Sequence, residues 1–171
     1  MELEQRDKEL AAIGSSIGCN CRPCIEHHIP AGREAGLSEA DLAEAVAIAR
    51  AVRDEAIELL APRVDELLGT GSASAEPAPV AETSRARTLV CLGASFGANS
   101  HALLEHHIAA ALDLGLSSAE VEAAIRTAGY VQKRASGMTA DTATHTLEEL
   151  AGVAGHTSPR PQRPHDSGRR P

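Results

Sequence analysis

"LAAIGSSIGCNCRPCIEHHIPAGREAGLSEA" (residues 10–40) aligns without a gap with "LVCLGASFGANSHALLEHHIAAALDLGLSSA" (residues 89–119), at an offset of 79 positions. The identities include two glycines spaced four apart, an asparagine, a Glu-His-His-Ile run and a Gly-Leu-Ser run in each copy. So many matches at one offset indicate an internal duplication. Because a repeated unit of this size buries its apolar face against its copy, the two copies are expected to pack together.

Each copy is predicted to form three helices. The first is predicted around residues 4–17. The second is predicted to begin at Cys21, with Asn20 as its N-cap and Gly36 in the left-handed position after its end. The third is predicted to begin at the capping box "LSEAD" (residues 37–41) and to continue through apolar residues at helical spacing. The second copy repeats this pattern, with Asn99 at the N-cap position.

The composition also favours helices. Tyr130 and Phe96 are the only tyrosine and phenylalanine, and there is no tryptophan. The core must therefore be built from Ala, Leu, Val and Ile, which suits closely packed helices better than a pleated sheet. We therefore predict an all-α fold, in which two tandem three-helix repeats pack into one helical domain.

The domain boundaries follow from changes in composition. The first repeat is predicted to span residues 1–68 and the second residues 82–152. Residues 69–81 between them are rich in Gly, Ser, Ala and Pro, which is typical of a flexible linker. Residues 153–171 have too little apolar surface to offset the entropy of ordering them, so this tail is predicted to be disordered.

The charge and the hydropathy pattern exclude several partners. The net charge is −8, whereas a nucleic-acid platform needs clustered Lys and Arg. The first residues lack the apolar core of a signal peptide, and no stretch approaches the roughly 18 consecutive apolar residues of a membrane span. We expect a cytoplasmic protein without a nucleic-acid or membrane partner. In that reducing compartment, closely spaced cysteines are more often redox-active or metal-binding than structural.

The segment "GCNCRPCIEHH" (residues 18–28) holds three of the four cysteines. Cys21, Cys24 and His28 lie at i, i+3 and i+7, on one face of the predicted helix. Cys21 is predicted at the first helical position, where the helix dipole favours a thiolate. His28 lies one turn after Cys24 and can take or return the proton of its thiol. Such a pair can cycle between dithiol and disulfide.

An acidic residue extends the motif. Glu9 precedes Cys21 by twelve positions and completes the pattern Glu-x11-Cys-x2-Cys-x3-His. With this pattern, the chain resembles the AhpD-like branch of the carboxymuconolactone decarboxylase superfamily. The resemblance covers about residues 9–56 and 88–135.

The resemblance implies an all-helical fold and a cysteine-based hydroperoxidase or disulfide reductase. Cys21 and Cys24 would be the redox pair, and Glu9 and His28 a proton relay. It implies a peroxide or small disulfide as substrate, a protein or lipoyl-type reductant or a peroxiredoxin as partner, and neither cofactor nor metal. Helical spacing favours Cys24 as the sulfur that meets peroxide, with Cys21 resolving the sulfenic acid; the reverse order is favoured by the helix N-terminus.

The second repeat is expected to be catalytically inactive. Ser100 and Leu103 occupy the two cysteine positions, and Thr88 occupies the position of Glu9. The histidine is retained as His107, so the Glu-His-His triplet can also be interpreted as a buried polar element of the fold, and His28 with it.

Other residues of the motif leave further alternatives open. Glu9 can be a solvated helical residue, and Cys19 a spare packed thiol or an alternative disulfide partner. His27, rotated about 100° from His28 on the helix, is interpreted as structural. Cys91 matches an alanine in the first repeat and is interpreted as a small buried hydrophobe.

Three other classes of function compete with the redox interpretation. Cys19, Cys21 and Cys24, with His27 or His28, offer soft ligands of the kind that zinc accepts. A carboxymuconolactone decarboxylase acts on a small lactone acid, and a non-catalytic assembly protein would use the repeats only for packing. In every case the scarcity of aromatic residues predicts a homo-oligomer, since one chain has limited means to bury its apolar faces; the resemblance favours a trimer.

Overall fold

The computed structural model describes residues 3–70 and 83–156. Within these ranges the chain forms six α-helices and no strand, so the all-α prediction is confirmed. The helices are α1 (Gln5–Gly18), α2 (Arg22–Glu34), α3 (Glu39–Leu68), α4 (Arg85–Gly97), α5 (His101–Asp113) and α6 (Ser118–His156). In these two ranges, every helix is too short or too polar to span a bilayer.

Both repeats contribute to one core. The chain up to Ser136 forms one compact unit, and the helical segment from Gly137 belongs to a second unit. The largest fully buried side chains of the first unit come from both repeats and include Leu10, Ile13, Val52, Leu89, Leu92 and Leu103. The aliphatic core expected from the composition is therefore present.

Helices α1 and α4 pack backbone against backbone through four glycines, Gly14, Gly18, Gly93 and Gly97. A Cβ atom added to Gly14 would lie 2.9 Å from the Ala94 nitrogen, and one added to Gly93 would lie 2.9 Å from the carbonyl carbon of Ala11. No real side chain tolerates such distances. The glycines shared by the two repeats therefore form a close contact between them.

Asn20 and Asn99 are not N-caps, and this prediction was wrong. Both residues have left-handed backbones, with φ of 54° and 56°. The Cys21 N–H donates to the Ser16 carbonyl at 2.8 Å across Asn20, which closes a Schellman motif at the end of α1. Asparagine is among the few residues that tolerate this conformation, so it suits the end of one helix rather than the start of the next. The N-caps are instead Cys21 and Ser100.

The other predicted caps are confirmed. Gly36 ends the turn after α2 with a φ of 88°. Ser38 caps α3, since its side chain accepts from the Asp41 N–H while the Asp41 carboxylate accepts from the Ser38 N–H. Ser117 and Glu120 form the same reciprocal pair at the start of α6. These caps fix where the third helix of each repeat begins.

The predicted linker and tail lie mostly outside the described residues. Helix α3 ends at Leu68, immediately before the predicted linker 69–81, of which residues 71–81 are outside the described ranges. The tail was predicted from residue 153, but α6 continues to His156. Extending an existing helix adds one hydrogen bond per residue, so α6 can run past the point where the composition changes. Residues 157–171 are outside the described ranges.

Candidate redox site

Cys21 and Cys24 form a disulfide at the start of α2, with their Cα atoms 5.3 Å apart. Cys21 is the N-cap of α2, not its first helical residue as predicted, because the Schellman turn takes one more residue than expected. Its sulfur accepts a hydrogen bond from the Cys24 backbone N–H at 3.2 Å. Once the disulfide is reduced, this bond and the helix dipole would both stabilise a thiolate at Cys21.

Cys21 borders a cleft in the first repeat. Cys21 and Cys24 are 7% and 6% exposed. Cys21 lines a cleft of about 310 Å³ between α1, α2 and α3, with Ile25 and Val46 on its apolar wall, and Cys24 is not among the lining residues. A molecule in this cleft therefore lies against Cys21.

Glu9 and His28 lie together beside the disulfide-bearing segment, as the proposed relay requires. The Glu9 Oε2 atom of α1 is 2.9 Å from the His28 Nδ1 atom of α2. Both side chains are largely buried, with 8% and 16% of their surfaces exposed. Gln5 donates a second hydrogen bond to the Glu9 Oε1 atom at 2.6 Å. Glu9 is therefore not a solvated helical residue.

The Glu9 carboxyl stays ionised despite its burial. Burial by itself raises the pKa of Glu9, but the hydrogen bond and the charge of His28, with the hydrogen bond from Gln5, outweigh burial and hold this pKa below its usual value. An ionised carboxylate can only accept, so His28 Nδ1 must donate to it. In the neutral imidazole, Nε2 is then the basic nitrogen, available to take a proton.

The second repeat keeps the histidine in a different setting. His107 is completely buried, whereas His28 is partly exposed. Thr88, at the position of Glu9, donates its hydroxyl to the Ser84 carbonyl of its own helix at 3.0 Å. The triplet is thus a shared element of the fold, and the carboxylate contact from the preceding helix is specific to the first repeat.

The remaining residues of the motif lie outside the disulfide. Cys19 and Cys91 take no part in the Cys21–Cys24 disulfide. Burial raises the pKa of the Cys19 thiol, which makes it a poor source of thiolate near neutral pH. Cys91 is fully buried in the core, as expected of a small hydrophobe. His27 is exposed, and its ring meets that of His28 edge to face, with centroids 4.9 Å apart.

The geometry does not supply the zinc site that was considered. In residues 3–70 and 83–156, no group of three or more His, Cys, Asp or Glu side chains is arranged to hold a metal ion. Two of the four candidate sulfur and nitrogen donors, Cys21 and Cys24, are bonded to each other.

Three arginines that the motif does not point to also line the cleft. Arg22 precedes the motif's proline on α2, and Arg50 and Arg53 lie one turn apart on α3. A comparison of the two repeats could have identified these arginines. None of the three has an arginine at the matching position 79 residues later, so they are specific to the repeat that carries the cysteines.

A comparison with known protein families matches the first repeat. The model of the carboxymuconolactone decarboxylase family matches residues 2–64, a range that holds Glu9, Cys21, Cys24 and His28. No curated protein and no solved structure matched the chain. Over residues 2–64, which form most of its first repeat, this chain is therefore similar to the carboxymuconolactone decarboxylase family.

Proposed function

We propose that this protein is a thiol–disulfide oxidoreductase with alkylhydroperoxidase-like activity, which cycles Cys21 and Cys24 between dithiol and disulfide. The observation that carries the proposal is the disulfide at the N-terminus of α2, one turn before a histidine held by a buried carboxylate. The family match supports the superfamily, to which AhpD-like peroxidases belong. The cycle is assigned to the first repeat because the second has neither cysteine.

In the oxidising half of the cycle, the Cys24 thiolate attacks one oxygen of a hydroperoxide. The O–O bond breaks, the leaving alkoxide takes a proton from the His28 imidazolium, and Cys24 becomes a sulfenic acid. Glu9 stabilises the charged imidazole before that transfer. The Cys21 thiolate then attacks the Cys24 sulfur, which forms the disulfide and releases hydroxide, protonated to water.

In the reducing half, an external thiolate attacks the disulfide. Cys21 is the cysteine of the pair that lines the cleft, so we assign the mixed disulfide to Cys21, and Cys24 leaves as a thiolate. A second external thiol then resolves the mixed disulfide. The net reaction converts a hydroperoxide and two thiols into an alcohol, water and a disulfide. A protein or lipoyl-type reductant, or exchange with a peroxiredoxin partner, would supply or use these electrons.

The experiment is peroxide consumption by the full chain with dithiothreitol as reductant. Cys21→Ser and Cys24→Ser should each abolish turnover, because a disulfide needs both sulfurs, while Cys91→Ser should retain it. Turnover that persists in both variants would overturn the proposal. The decarboxylase reaction that gives the family its name does not call for a cysteine pair, so decarboxylation of a small lactone acid that survives both substitutions would identify that function instead.

A further inference from the structure

The cleft over Cys21 is positively charged in an acidic protein. The net charge of the chain is −8, yet Arg22, Arg50 and Arg53 line this cleft and no acidic residue does. Clefts lined by charge of one sign raise the local concentration of oppositely charged molecules. An anion entering the cleft would therefore be drawn towards the Cys21 sulfur.

The positive charge is only partly compensated by acids outside the cleft. Arg22 pairs with Glu26 at 2.7 Å, and Arg53 lies 3.5 Å from Asp54 through its Nη2 atom. The Nε atom of Arg53 is buried and has no hydrogen-bond partner among the described residues. A carboxylate in the cleft would add a charge-assisted hydrogen-bond acceptor for these partly compensated arginines.

The second repeat loses the arginines together with the cysteines. At the places of Cys21, Arg22, Arg50 and Arg53 it has Ser100, His101, Gly129 and Gln132. The scaffold of the cleft is retained, since Ser16, Ile25 and Val46 match Ser95, Leu104 and Ile125.

The Phe96 ring lies close to the position in the second repeat that matches Arg50. A Cβ atom on Gly129 would lie 3.4 Å from the Phe96 ring, so this ring packs where Arg50 stands in the first repeat. Phe96 itself matches the smaller Ile17. The arginines are thus found beside the disulfide-bearing segment and not at the matching positions of the copy that lacks the cysteines.

We propose that this cleft binds a small carboxylate-bearing thiol as the reductant, with Arg50 and Arg53 holding the carboxylate while the thiolate reaches Cys21. The inference rests on the proposed disulfide cycle and names the class of reductant that cycle uses. A cleft of about 310 Å³ is at the lower end of the range for small-molecule sites, which suits a compact dithiol.

The step is a two-electron exchange. One thiolate of the anionic dithiol bonds to the Cys21 sulfur, the Cys21–Cys24 bond breaks, and Cys24 leaves as a thiolate. The second thiol of the reductant, once deprotonated, attacks its own sulfur in the mixed disulfide. The reductant leaves as a cyclic disulfide, and Cys21 and Cys24 are both reduced.

Dihydrolipoate and dihydrolipoamide test the inference, because they carry the same dithiol and differ in the charge of the distant group. The measured quantity is the rate at which each reduces the Cys21–Cys24 bond, followed by quenched alkylation and mass spectrometry. At low ionic strength we expect dihydrolipoate to react about tenfold faster, the lower range for electrostatic steering. In about 1 M salt, where the screening length falls to roughly 3 Å, this preference should disappear.

Arginine variants test whether Arg50 and Arg53 cause the faster reaction of dihydrolipoate. Arg50→Met with Arg53→Gln, the latter copying the second repeat, should bring the two rates together. Arg63→Met removes one positive charge from an exposed part of α3 that is not in the cleft, and this variant should keep the preference.

Equal rates for the two dithiols in the wild type, or a preference that salt leaves unchanged, would overturn the inference. Both outcomes can be read without any variant, so a folding defect in the double variant cannot hide them. If the two dithiols are equally fast, the disulfide cycle itself stands. If neither they nor dithiothreitol reduce the bond, the proposed function fails with the inference.

Discussion

The carboxylate of Glu9 lies 2.9 Å from Nδ1 of His28, and this contact joins α1 to α2, the helix that begins at the disulfide. The two residues are 19 positions apart, so only the packing of these helices brings them together. The contact orients the imidazole and leaves Nε2 as its basic nitrogen. The second repeat retains the histidine and not the carboxylate, so the chain contains its own control for the role of this pair.

Replacing the two equivalent histidines should affect different properties, namely thiol reactivity for His28 and stability for His107. His28→Ala should slow the reaction of the reduced protein with peroxide by about a hundredfold, a typical contribution of a general acid–base group. It should also raise the pKa of the reactive thiol, as measured by the pH dependence of alkylation. His107→Ala should leave both nearly unchanged and lower the free energy of unfolding by about 2–4 kcal/mol, because it empties a fully buried site.

Glu9→Gln should reproduce part of the His28→Ala defect, since it removes the charge that stabilises the imidazolium. If both histidine variants lose stability equally and keep normal thiol reactivity, the histidines serve only the fold and the relay does not exist.

The cap of α6 makes stability depend on pH in the acid range. The hydroxyl and N–H of Ser117, together with Arg85, lower the pKa of Glu120 from 4.5 to about 2. Because the folded-state value is the lower one, the ionised carboxylate stabilises the fold above about 4.5, and this contribution is lost as the pH falls towards about 2. Glu120→Gln should therefore flatten the loss of melting temperature over this range. Glu122→Gln, which removes an exposed carboxylate two residues later, should not.

The glycine contact between α1 and α4 predicts two opposite Gly→Ala effects. In Gly93→Ala, the new methyl group would overlap the Ala11 carbonyl, so the helices must separate, at a cost of about 1–3 kcal/mol or more in unfolding free energy. In Gly137→Ala, the methyl group meets nothing within 4 Å, and the gain in helix propensity should stabilise the protein by about 0.5–1 kcal/mol. Thermal or denaturant unfolding measures both. A Gly93→Ala variant as stable as the wild type would contradict the close packing.

An apolar stripe on the last turns of α3 supports the prediction of a homo-oligomer. Ile57, Leu60, Val64 and Leu67 recur at helical spacing and are 47% to 69% exposed in the single chain. Exposed apolar surface of this kind is typical of an interface. Light scattering should show an oligomer, with a trimer favoured, and Leu60→Glu with Leu67→Glu should shift it towards monomer, whereas Glu58→Gln should not. A wild-type monomer at micromolar concentration would refute this.

Local chemistry made much of the fold predictable from sequence. The capping boxes at Ser38 and Ser117 and the glycine at Gly36 depend on adjacent residues, and each lies where its pattern indicates. The prediction that Asn20 is an N-cap was wrong because asparagine suits both an N-cap and a left-handed helix end. The sequence alone does not show whether Asn20 ends α1 or caps α2. That choice moved Cys21 from the first helical position to the N-cap.

Only the part of the site that lies at the start of one helix was predictable from the sequence. The spacing of Cys21 and Cys24 indicated their pairing, since one helical turn brings them together. Arg50 and Arg53 come from α3, and no local pattern shows that α3 faces the start of α2. Likewise, the packing of Gly14 and Gly93 depends on how the two repeats meet, which a single sequence does not specify.

The most direct test of the disulfide cycle is to treat the fully reduced protein with one equivalent of hydroperoxide and map the products by peptide mass spectrometry. The cycle predicts a Cys21–Cys24 disulfide as the main product, with Cys91 still a thiol and one hydroperoxide consumed per disulfide formed. A disulfide between Cys19 and Cys24 would reassign the resolving thiol. Peroxide left unconsumed, or a stable over-oxidised Cys24 without any disulfide, would contradict the proposed function.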